Sequence, residues 1–342
     1  MPDVHLNAIG RAVPETRYTQ RQLYEHRPWP ATPLLDRLFL DSPIHSRALF
    51  VPPEWYGEPR TLTDTNRAWL EGARGLGGQA LRNALDGAGV APDAVDLLAV
   101  TTVTGYATPG LDLLLARQEG LRPDIARAHF NNIGCHAAVP LLRVAANHAA
   151  TEPGSQAVAL AVEVCSACFQ AEAAADNLVA LALFADGAAA AVLSTEGTGP
   201  TLVGFASGYD YDHIDALGFD LTMSGFRIVL DPSIPATVGR GVGGVVDKLL
   251  DTHGVHRDQV SVWCFHPGGS RILDAVQRAM ELDDEAMRPS RRVLRAYGNM
   301  SSPSVLFVLA DALGAGLGRP GTYAVMAAFG PGLGIEAALV AL

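Results

Sequence analysis

A short pattern occurs twice in this chain and limits the folds that the sequence can adopt. The pattern G-V-x-x-D-x-V covers residues 89–95 and again residues 254–260. Each copy follows a helical stretch and leads into an apolar run of strand character that stops at a polar loop. A repeated order of elements is typical of a duplicated architecture. We therefore expect two similar α/β halves, each a mixed sheet with helices packed on it.

The predicted elements outside the repeat follow the same division. Strands are expected over residues 157–164 and 323–329, each after a helix and before another short strand. Turn-forming residues at 196–200 separate the two series. We therefore expect an N-terminal half over residues 1–200 and a C-terminal half over residues 201–342.

The start of the N-terminal half is less regular than the rest. Residues 1–60 are interrupted by many prolines, so short helices and loops are expected there. Residues 64–85 repeat apolar side chains at helical spacing and predict a helix. Residues 95–103 are apolar almost without interruption, which predicts a strand covered on both faces.

Composition favours a compact globular protein. Of its 342 residues, 49% are hydrophobic and 18% are charged, so much of the chain should be buried. The net charge of −11 argues against nucleic-acid binding and against adhesion to an anionic membrane. Apolar segments stop before they reach membrane-spanning length, and the first residues lack a secretory pattern. We therefore expect a cytoplasmic protein.

The cysteines do not predict a disulfide scaffold or a metal site. There are four, Cys135, Cys165, Cys168 and Cys264, which is too few for a scaffold in a chain of this size. Cys165 and Cys168 form a C-x-x-C pair, but no second pair has the spacing of metal ligands. The interpretation is two reduced thiols in a pocket or in the core.

Cys135 has the setting of a nucleophile. It follows Gly134 and precedes an apolar helix expected over residues 137–150. The first turn of a helix has unpaired N–H groups and a positive end, which together would lower the pKa of the thiol. The alternative is a small buried cysteine that serves only packing.

Two further segments complement that cysteine. His266 directly follows the strand expected at 260–265, on a turn with glycine, and Asn299 precedes the helix expected at 305–313. Asn299 alone could be a plain helix cap. His136 is an unsuitable partner for Cys135, because adjacent helical residues point in different directions. A thiolate that carries acyl groups, with imidazole and amide N–H groups for an oxyanion, indicates covalent acyl transfer.

Several motifs in one order make the chain resemble the type III polyketide synthases, the chalcone-synthase-like branch of the thiolase superfamily. The similarity runs from about residue 60 to the C-terminus. It rests on Thr104-Gly105 with Pro109-Gly110-Leu111-Asp112, Gly134-Cys135, Val162-Glu163-Val164-Cys165-Ser166, Leu183-Phe184-Ala185-Asp186-Gly187-Ala188-Ala189, His266-Pro267-Gly268-Gly269, Tyr297-Gly298-Asn299-Met300-Ser301-Ser302 and Phe329-Gly330-Pro331-Gly332.

The resemblance implies a five-layered αβαβα thiolase-like fold, a homodimer and repeated condensation of malonyl units onto an acyl-CoA starter. Cys135 would carry the chain as a thioester. His266 would keep the thiol ionised through an ion pair and, with Asn299, would bind the malonyl thioester oxygen. Phe184 matches the gate between the CoA tunnel and the cavity. The CoA thioesters are the only ligands implied, with no metal or redox cofactor.

Departures from the plant pattern suggest a more apolar cavity. Val103, Cys165 and Cys168 stand where plant enzymes have threonine, and Ile228 falls near a bulky aromatic position. This favours an aliphatic starter and an alkylpyrone or resorcinol-type product. The remaining site residues that the resemblance implies are Thr104, Ser301, Gly330 and Pro331 around the cavity, and Arg47 as the best match to residues that meet the CoA phosphates.

Two alternatives remain at this level. A β-ketoacyl synthase III-like enzyme would use the same three residues for one condensation and release a β-ketoacyl product. A non-catalytic acyl-CoA-binding relative, or a subunit kept for its dimer surface, would have no reason to retain all three residues and the gate. Starter length, the number of extensions and the mode of cyclisation are left open by the sequence.

Overall fold

The computed structural model describes residues 2–169, 174–223 and 225–342. The strands are β1 (Val4–Ala12), β2 (Arg17–Thr19), β3 (Ser46–Ala48), β4 (Val95–Thr102), β5 (Ala126–Asn131), β6 (Gln156–Val164), β7 (Asp186–Ser194), β8 (Thr201–Tyr209), β9 (Leu217–Thr222), β10 (Gly225–Leu230), β11 (Val260–Phe265), β12 (Tyr323–Gly330) and β13 (Gly334–Ala341). The α-helices are α1 (Gln20–Glu25), α2 (Pro33–Leu35), α3 (Leu62–Ala88), α4 (Leu111–Gln118), α5 (Ala138–Thr151), α6 (Cys165–Cys168), α7 (Ala175–Leu183), α8 (Ile234–Thr252), α9 (Ser270–Met280), α10 (Asp284–Tyr297) and α11 (Ser304–Gly314). A π-helix lies at Asp36–Leu40, and 3-10 turns lie at Pro53–Gly57, Pro92–Ala94, Tyr211–Ala216, Arg257–Gln259 and Pro331–Leu333.

Nine strands form one sheet whose order repeats outward from its middle. The order is β11-β12-β13-β8-β1-β7-β6-β4-β5. From the central seam, β1-β7-β6-β4 on one side matches β8-β13-β12-β11 on the other. The strands that follow the two copies of the sequence pattern, β4 and β11, hold equivalent places. β4 runs parallel to β6 and β11 runs parallel to β12, while β7 and β13 pair antiparallel with those neighbours.

The central helices separate the two halves of the sheet. At the seam, β1 and β8 pair only at Val4–Leu202 and His5–Thr201. Helices α5 and α11 contact strands of both halves, whereas α3 packs on β1, β6 and β7, and α8 packs on β8, β12 and β13. The layers are therefore, in order, an outer helix, one half of the sheet, the central helices, the other half of the sheet and a second outer helix. The expected five-layered αβαβα class is confirmed.

Helices cover both faces of the sheet, which explains why its strands are apolar. β7 is buried along its whole length, and β6 is buried from its second residue onward. Parallel and mixed sheets with helices on both sides have this composition because no face meets water. At Gly10 of β1, any Cβ would overlap the backbone of Ala84 in α3, so glycine allows the outer helix to approach closely.

The limits of the long helix follow from its end residues. α3 begins after Thr61, whose side chain accepts a hydrogen bond from the backbone of Asp64 while Asp64 caps Thr61 in return. It ends at Gly89, which adopts a φ of 66°. The predicted helix over residues 64–85 was therefore slightly short at both ends.

The expectation for residues 1–60 was wrong in one important place. Instead of only short helices and loops, this region contains β1, which pairs with β7 and with β8 at the seam. Its burial alternates imperfectly along Val4–Ala12, so the usual apolar alternation of a strand is weak in the sequence. The division at residue 200 stays a prediction, although β8 begins at Thr201.

Candidate active site

Cys135 lies in the turn that joins β5 to α5. The backbone N–H of Ala137 donates to the carbonyl of Gly134 at 2.9 Å, and α5 begins only at Ala138. Gly134 has a φ of 88°, and a Cβ there would overlap the ring of Pro331. Cys135 therefore precedes the helix, which corrects the expected position in its first turn.

The environment of the Cys135 thiol favours its neutral form. The side chain is partly accessible, yet burial raises the pKa of Cys135 to about 12. Ser301 Oγ donates to Sγ at 3.3 Å and lowers the pKa of the thiol, while the nearby carboxyl of Glu163 raises it. The expected lowering of the thiol pKa by a helix terminus is wrong, because loss of hydration outweighs the hydrogen bonds from Ser301 and from the backbone of Cys135.

His266 is also neutral at physiological pH. It is the first residue after β11, and its backbone N–H donates to the carbonyl of Ala327 at 2.8 Å. The imidazole is 1% exposed, and its Nδ1 has no hydrogen-bond partner among the described residues. Burial and the neighbouring His136 lower the pKa of His266 to about 3. Burial thus favours the neutral form of both groups, and the thiolate–imidazolium pair implied by the resemblance stays a prediction.

Asn299 is linked to Cys135 through one intervening residue. The backbone N–H of Ser301 donates to Asn299 Oδ1 at 2.8 Å, while the hydroxyl of Ser301 donates to the cysteine sulfur. Oδ1 is thus an acceptor in this contact, and the amide Nδ2 is the donor of the carboxamide. Two predicted catalytic residues, which are far apart in sequence, thus meet at Ser301.

A cavity with an empty volume of about 340 Å³ opens beside the thiol. Most of the expected cavity residues line it, together with further aromatic and apolar ones. The lining comprises Val103, Thr104, Gly134, Cys135, Cys165, Phe169, Phe184, Leu217, Phe219, Ile228, Ser301 and Pro331.

Four of the expected catalytic and cavity residues lie outside that lining within the described chain. His266 and Asn299 are buried, with 1% and 2% exposure. Cys168 is enclosed at the end of α6, with 2% exposure. Gly330 instead accommodates His136, since a Cβ at Gly330 would overlap the His136 ring. Gly330 therefore shapes the site through His136.

Phe184, the expected gate residue, lies between two cavities. Its ring centroid is 5.1 Å from that of Phe169, with the planes tilted by 44°. Both rings line the cavity beside Cys135 and also a second one of about 450 Å³, which reaches Trp29 and Arg27. The aromatic pair therefore separates two spaces, only one of which contains the thiol.

The sequence analysis assigned no role to a buried carboxylate next to this site. Glu163 accepts hydrogen bonds from the hydroxyls of Thr104 and Ser302, at 2.8 and 2.6 Å, and from the N–H of Val103 at 3.0 Å. Burial nevertheless raises the pKa of Glu163 to about 7. An acidic residue inside an apolar strand was the available signal, because such residues are rarely buried without partners.

Arg47, expected at the CoA phosphates, lies inside the protein and borders the second cavity, and its role towards CoA stays a prediction. Its guanidinium is 2% exposed and points into the protein. Nη1 donates to the carbonyl of Phe184 at 2.6 Å, and Nε donates to Gln20 Oε1 at 2.9 Å. Two of its three guanidinium nitrogens are therefore engaged inside the protein.

A thiol, a buried imidazole and a carboxamide on a duplicated αβαβα framework define a condensing enzyme of the thiolase-like class. The chain belongs to the chalcone and stilbene synthase family, the type III polyketide synthases. The model of the N-terminal domain of chalcone and stilbene synthases matches residues 57–197, and that of the C-terminal domain matches residues 212–342.

Relatives extend this similarity over nearly the whole chain. The 1,3,6,8-tetrahydroxynaphthalene synthase of Streptomyces peucetius subsp. caesius is 38% identical, with 97% of this chain and 92% of the relative covered. A 3,5-dihydroxyphenylacetyl-CoA synthase of Amycolatopsis orientalis is 36% identical, with 97% and 92% covered. The crystal structure of the Streptomyces coelicolor tetrahydroxynaphthalene synthase superposes with a TM-score of 0.92 at 28% identity, covering 98% of this chain and 99% of that one.

These similarities establish a decarboxylating, carbon–carbon condensing acyltransferase. They do not favour the β-ketoacyl synthase III-like alternative, because the relatives are type III polyketide synthases. Within the described parts of the chain, every helix is too short or too polar to cross a membrane.

Proposed function

We propose that Cys135 takes an acyl group from a CoA thioester and that the enzyme extends it with malonyl-CoA. The observation that carries this proposal is the double role of Ser301. Its hydroxyl donates to the sulfur at 3.3 Å and its N–H donates to Asn299 Oδ1 at 2.8 Å. This contact brings the nucleophile and an amide donor to the same end of an apolar cavity.

Loading begins from neutral partners. His266, with its pKa lowered to about 3, is a free base and can accept the thiol proton as sulfur attacks the acyl-CoA carbonyl. The carbonyl then re-forms, the bond to the CoA sulfur breaks, and the imidazolium returns the proton to that leaving thiolate. The products are acyl-Cys135 and free CoA.

Extension uses the same imidazole as a donor. N–H groups of His266 and of the Asn299 amide bind the thioester oxygen of malonyl-CoA. The bond to the malonyl carboxylate breaks, CO₂ leaves, and its electron pair forms an enolate that these donors stabilise. The enolate carbon attacks the Cys135 thioester, a carbon–carbon bond forms, and the cysteine thiolate departs. The extended chain then remains on CoA and can be loaded again.

The cavity walls support an alkyl starter. Val103, Ile228 and Leu217 present hydrocarbon to the space beside the thiol, and burial of apolar surface is worth roughly 25 cal/mol per Å². We therefore propose an alkylpyrone or resorcinol-type product. A polyhydroxylated aromatic product is a second candidate, favoured by the 38% identity to a tetrahydroxynaphthalene synthase.

Product analysis separates these candidates. The pure enzyme is incubated with malonyl-CoA alone and with malonyl-CoA plus saturated acyl-CoAs of increasing length. Cyclised products that contain the acyl chain support the alkyl proposal. Aromatic products from malonyl-CoA alone, unchanged by acyl-CoA, would replace it. Intact-protein mass spectrometry with acyl-CoA alone checks the adduct on Cys135.

The remaining expectations are part of the same proposal. We propose a cytoplasmic homodimer that needs no metal or redox cofactor, since loss of CO₂ supplies the driving force. Light scattering of the purified protein should give twice the mass of the 36.0 kDa chain. Activity should survive exhaustive treatment with EDTA, and a loss that added metal restores would refute the cofactor expectation.

A further inference from the structure

The C-terminal end of α7 is capped by groups from three separate parts of the chain. Three successive carbonyls there each receive a hydrogen bond from a different part of the chain. Ala182 O accepts from Gln20 Nε2 at 2.8 Å, Leu183 O accepts from the N–H of Asn299 at 3.0 Å, and Phe184 O accepts from Arg47 Nη1 at 2.6 Å. The last carbonyls of a helix have no partner inside it, so these contacts replace the missing ones.

Arg47 and Gln20 act on that helix end as one unit. Arg47 Nε donates to Gln20 Oε1 at 2.9 Å, so both ends of the Gln20 amide are engaged. Burial lowers the pKa of Arg47 to about 10, while the nearby Asp186 opposes this change. The guanidinium is therefore charged at neutral pH. A cation is favourable at a helix C-terminus, where the helix dipole is negative.

The segment that this pair holds carries two parts of the proposed site. Phe184 separates the cavities, and the segment pairs with Asn299 in both directions, because the N–H of Ala185 also donates to the Asn299 carbonyl at 2.8 Å. The stem of Arg47 lies against Gly298, where a Cβ would be 2.9 Å from Arg47 Cδ and from the carbonyl of Leu183. Arg47 thus contacts the backbone before Asn299 as well as the carbonyl of Phe184.

We propose that Arg47 and Gln20 are positioning residues that fix the Phe184 backbone and, through it, the placement of the Asn299 carboxamide. This inference rests on the proposed roles of Phe184 and Asn299. It predicts that loss of the pair impairs malonyl decarboxylation and starter selection more than it impairs the reactivity of the Cys135 thiol.

The test compares Arg47→Met and Arg47→Lys with wild type. Misplacement of a catalytic group by about 1 Å can cost roughly 100-fold in rate, so we expect Arg47→Met to lower kcat for malonyl-CoA decarboxylation roughly 10- to 100-fold. Alkylation of Cys135 by iodoacetamide should stay within about twofold, since Arg47 does not contact the sulfur-bearing turn. Arg47→Lys keeps the charge and should restore part of kcat. The preference among acyl-CoA lengths should broaden in Arg47→Met.

Arg122→Met is the matched control. Arg122 also ties separate segments together, through Asp96 and Asp124 and the carbonyl of Asp93, but at the opposite end of β4 from the cavity. Its loss should lower thermal stability while leaving decarboxylation per folded molecule unchanged. Gln20→Leu removes two hydrogen bonds while Arg47 keeps its hydrogen bond to the carbonyl of Phe184, and it tests the inference if Arg47→Met does not fold.

The possible outcomes distinguish a failure of this inference from a failure of the proposed function. Variants with reduced melting temperature but wild-type decarboxylation and starter preference would show a merely structural pair and overturn the inference alone. A wild-type enzyme that neither acylates Cys135 nor decarboxylates malonyl-CoA would overturn the proposed function, and the inference with it. A selective fall in decarboxylation kcat with intact thiol alkylation supports both.

Discussion

The two halves of the molecule place different side chains at matching positions of one framework. The first residue after β4 is Val103, and the first residue after the equivalent β11 is His266. Cys135 and Ser301 stand equally far before the central helices α5 and α11. The N-terminal half therefore supplies a nucleophile where the C-terminal half supplies a hydroxyl, and the C-terminal half supplies an imidazole where the N-terminal half is apolar.

This asymmetry explains how a duplicated fold forms one active site instead of two. The equivalent positions meet across the molecule, as the hydrogen bond from Ser301 to Cys135 demonstrates. The N-terminal half also buries the acceptors Glu163 and Asp186, whereas His266 has an Nδ1 without a partner among the described residues. Covalent chemistry needs one thiol and several donors, so two identical halves would supply the wrong combination.

The largest expected effect comes from removing the nucleophile. Cys135→Ala should abolish the acyl adduct in intact-protein mass spectra and lower condensation by at least about 10³-fold, as removal of nucleophiles does elsewhere. Malonyl-CoA decarboxylation should persist, because its proposed donors belong to the C-terminal half. Cys264→Ala, a buried thiol in β11, is the control and should acylate normally. Acylation of Cys135→Ala at any other residue would contradict the assignment.

The second-largest expected effect comes from replacing His266, which follows β11, and it is compared with that of Val103, which follows β4. His266→Ala should lower malonyl-CoA decarboxylation by about 10²- to 10³-fold, since one oxyanion donor is commonly worth that much. Val103→Ala, at the matching position, removes only hydrocarbon and should change the same rate by less than about fivefold. Steady-state CO₂ release measures both. Equal losses of decarboxylation rate in the two variants would show that the difference between His266 and Val103 at these matching positions does not affect catalysis.

The buried carboxylates of the N-terminal half predict a pH dependence of stability. Burial raises the pKa of Glu163 from 4.5 to about 7 and that of Asp186 from 3.8 to about 6. Each carboxyl therefore contributes a component of the unfolding free energy that falls as pH rises from its unfolded to its folded pKa, by up to about 1.4 kcal/mol per pH unit. The buried His266 and His136, with pKa values lowered to about 3 and about 4, contribute a component of opposite sign below pH 6.5, so the carboxyl components are measured as differences between wild type and variants.

Denaturant titrations from pH 4.5 to 7.5 check this slope. The unfolding free energy of wild type minus that of Glu163→Gln should fall as pH rises to 7, and the corresponding difference for Asp186→Asn should fall as pH rises to 6. Glu196→Gln, an exposed acidic residue, is the control and should leave the slope as in wild type. A difference between wild type and Glu163→Gln that rises with pH across the window would refute the prediction.

The sequence allowed more of the fold to be predicted than of the electrostatics. Local patterns identify β4, β11 and α3, because burial on both faces and helical spacing leave clear signals in neighbouring residues. β1 was missed because its role depends on pairing with the distant strands β7 and β8. The raised pKa of Cys135 and the internal position of Arg47 could not be read locally either. Both follow from how much protein surrounds a group, which is set by the tertiary packing.

The smallest expected effect tests the contact that joins the two halves. Ser301→Ala removes the only hydroxyl seen to donate to Sγ in the described chain, while the backbone N–H to Asn299 remains. That hydrogen bond lowers the pKa of Cys135, so its loss should raise the pKa further. A single hydrogen bond contributes about 1 kcal/mol, which corresponds to alkylation slower by roughly fivefold at fixed pH.

Ser302→Ala provides the control for this last measurement. Ser302 donates to Glu163 and not to the sulfur, so iodoacetamide should react with Cys135 at nearly the wild-type rate. If Ser301→Ala reacted faster than wild type, Ser301 would be shielding the thiol instead of stabilising its anion. The hydrogen bond between matching positions would then be a relic of the duplication, and the link between the halves would have to be sought at His266 and the turn of Cys135.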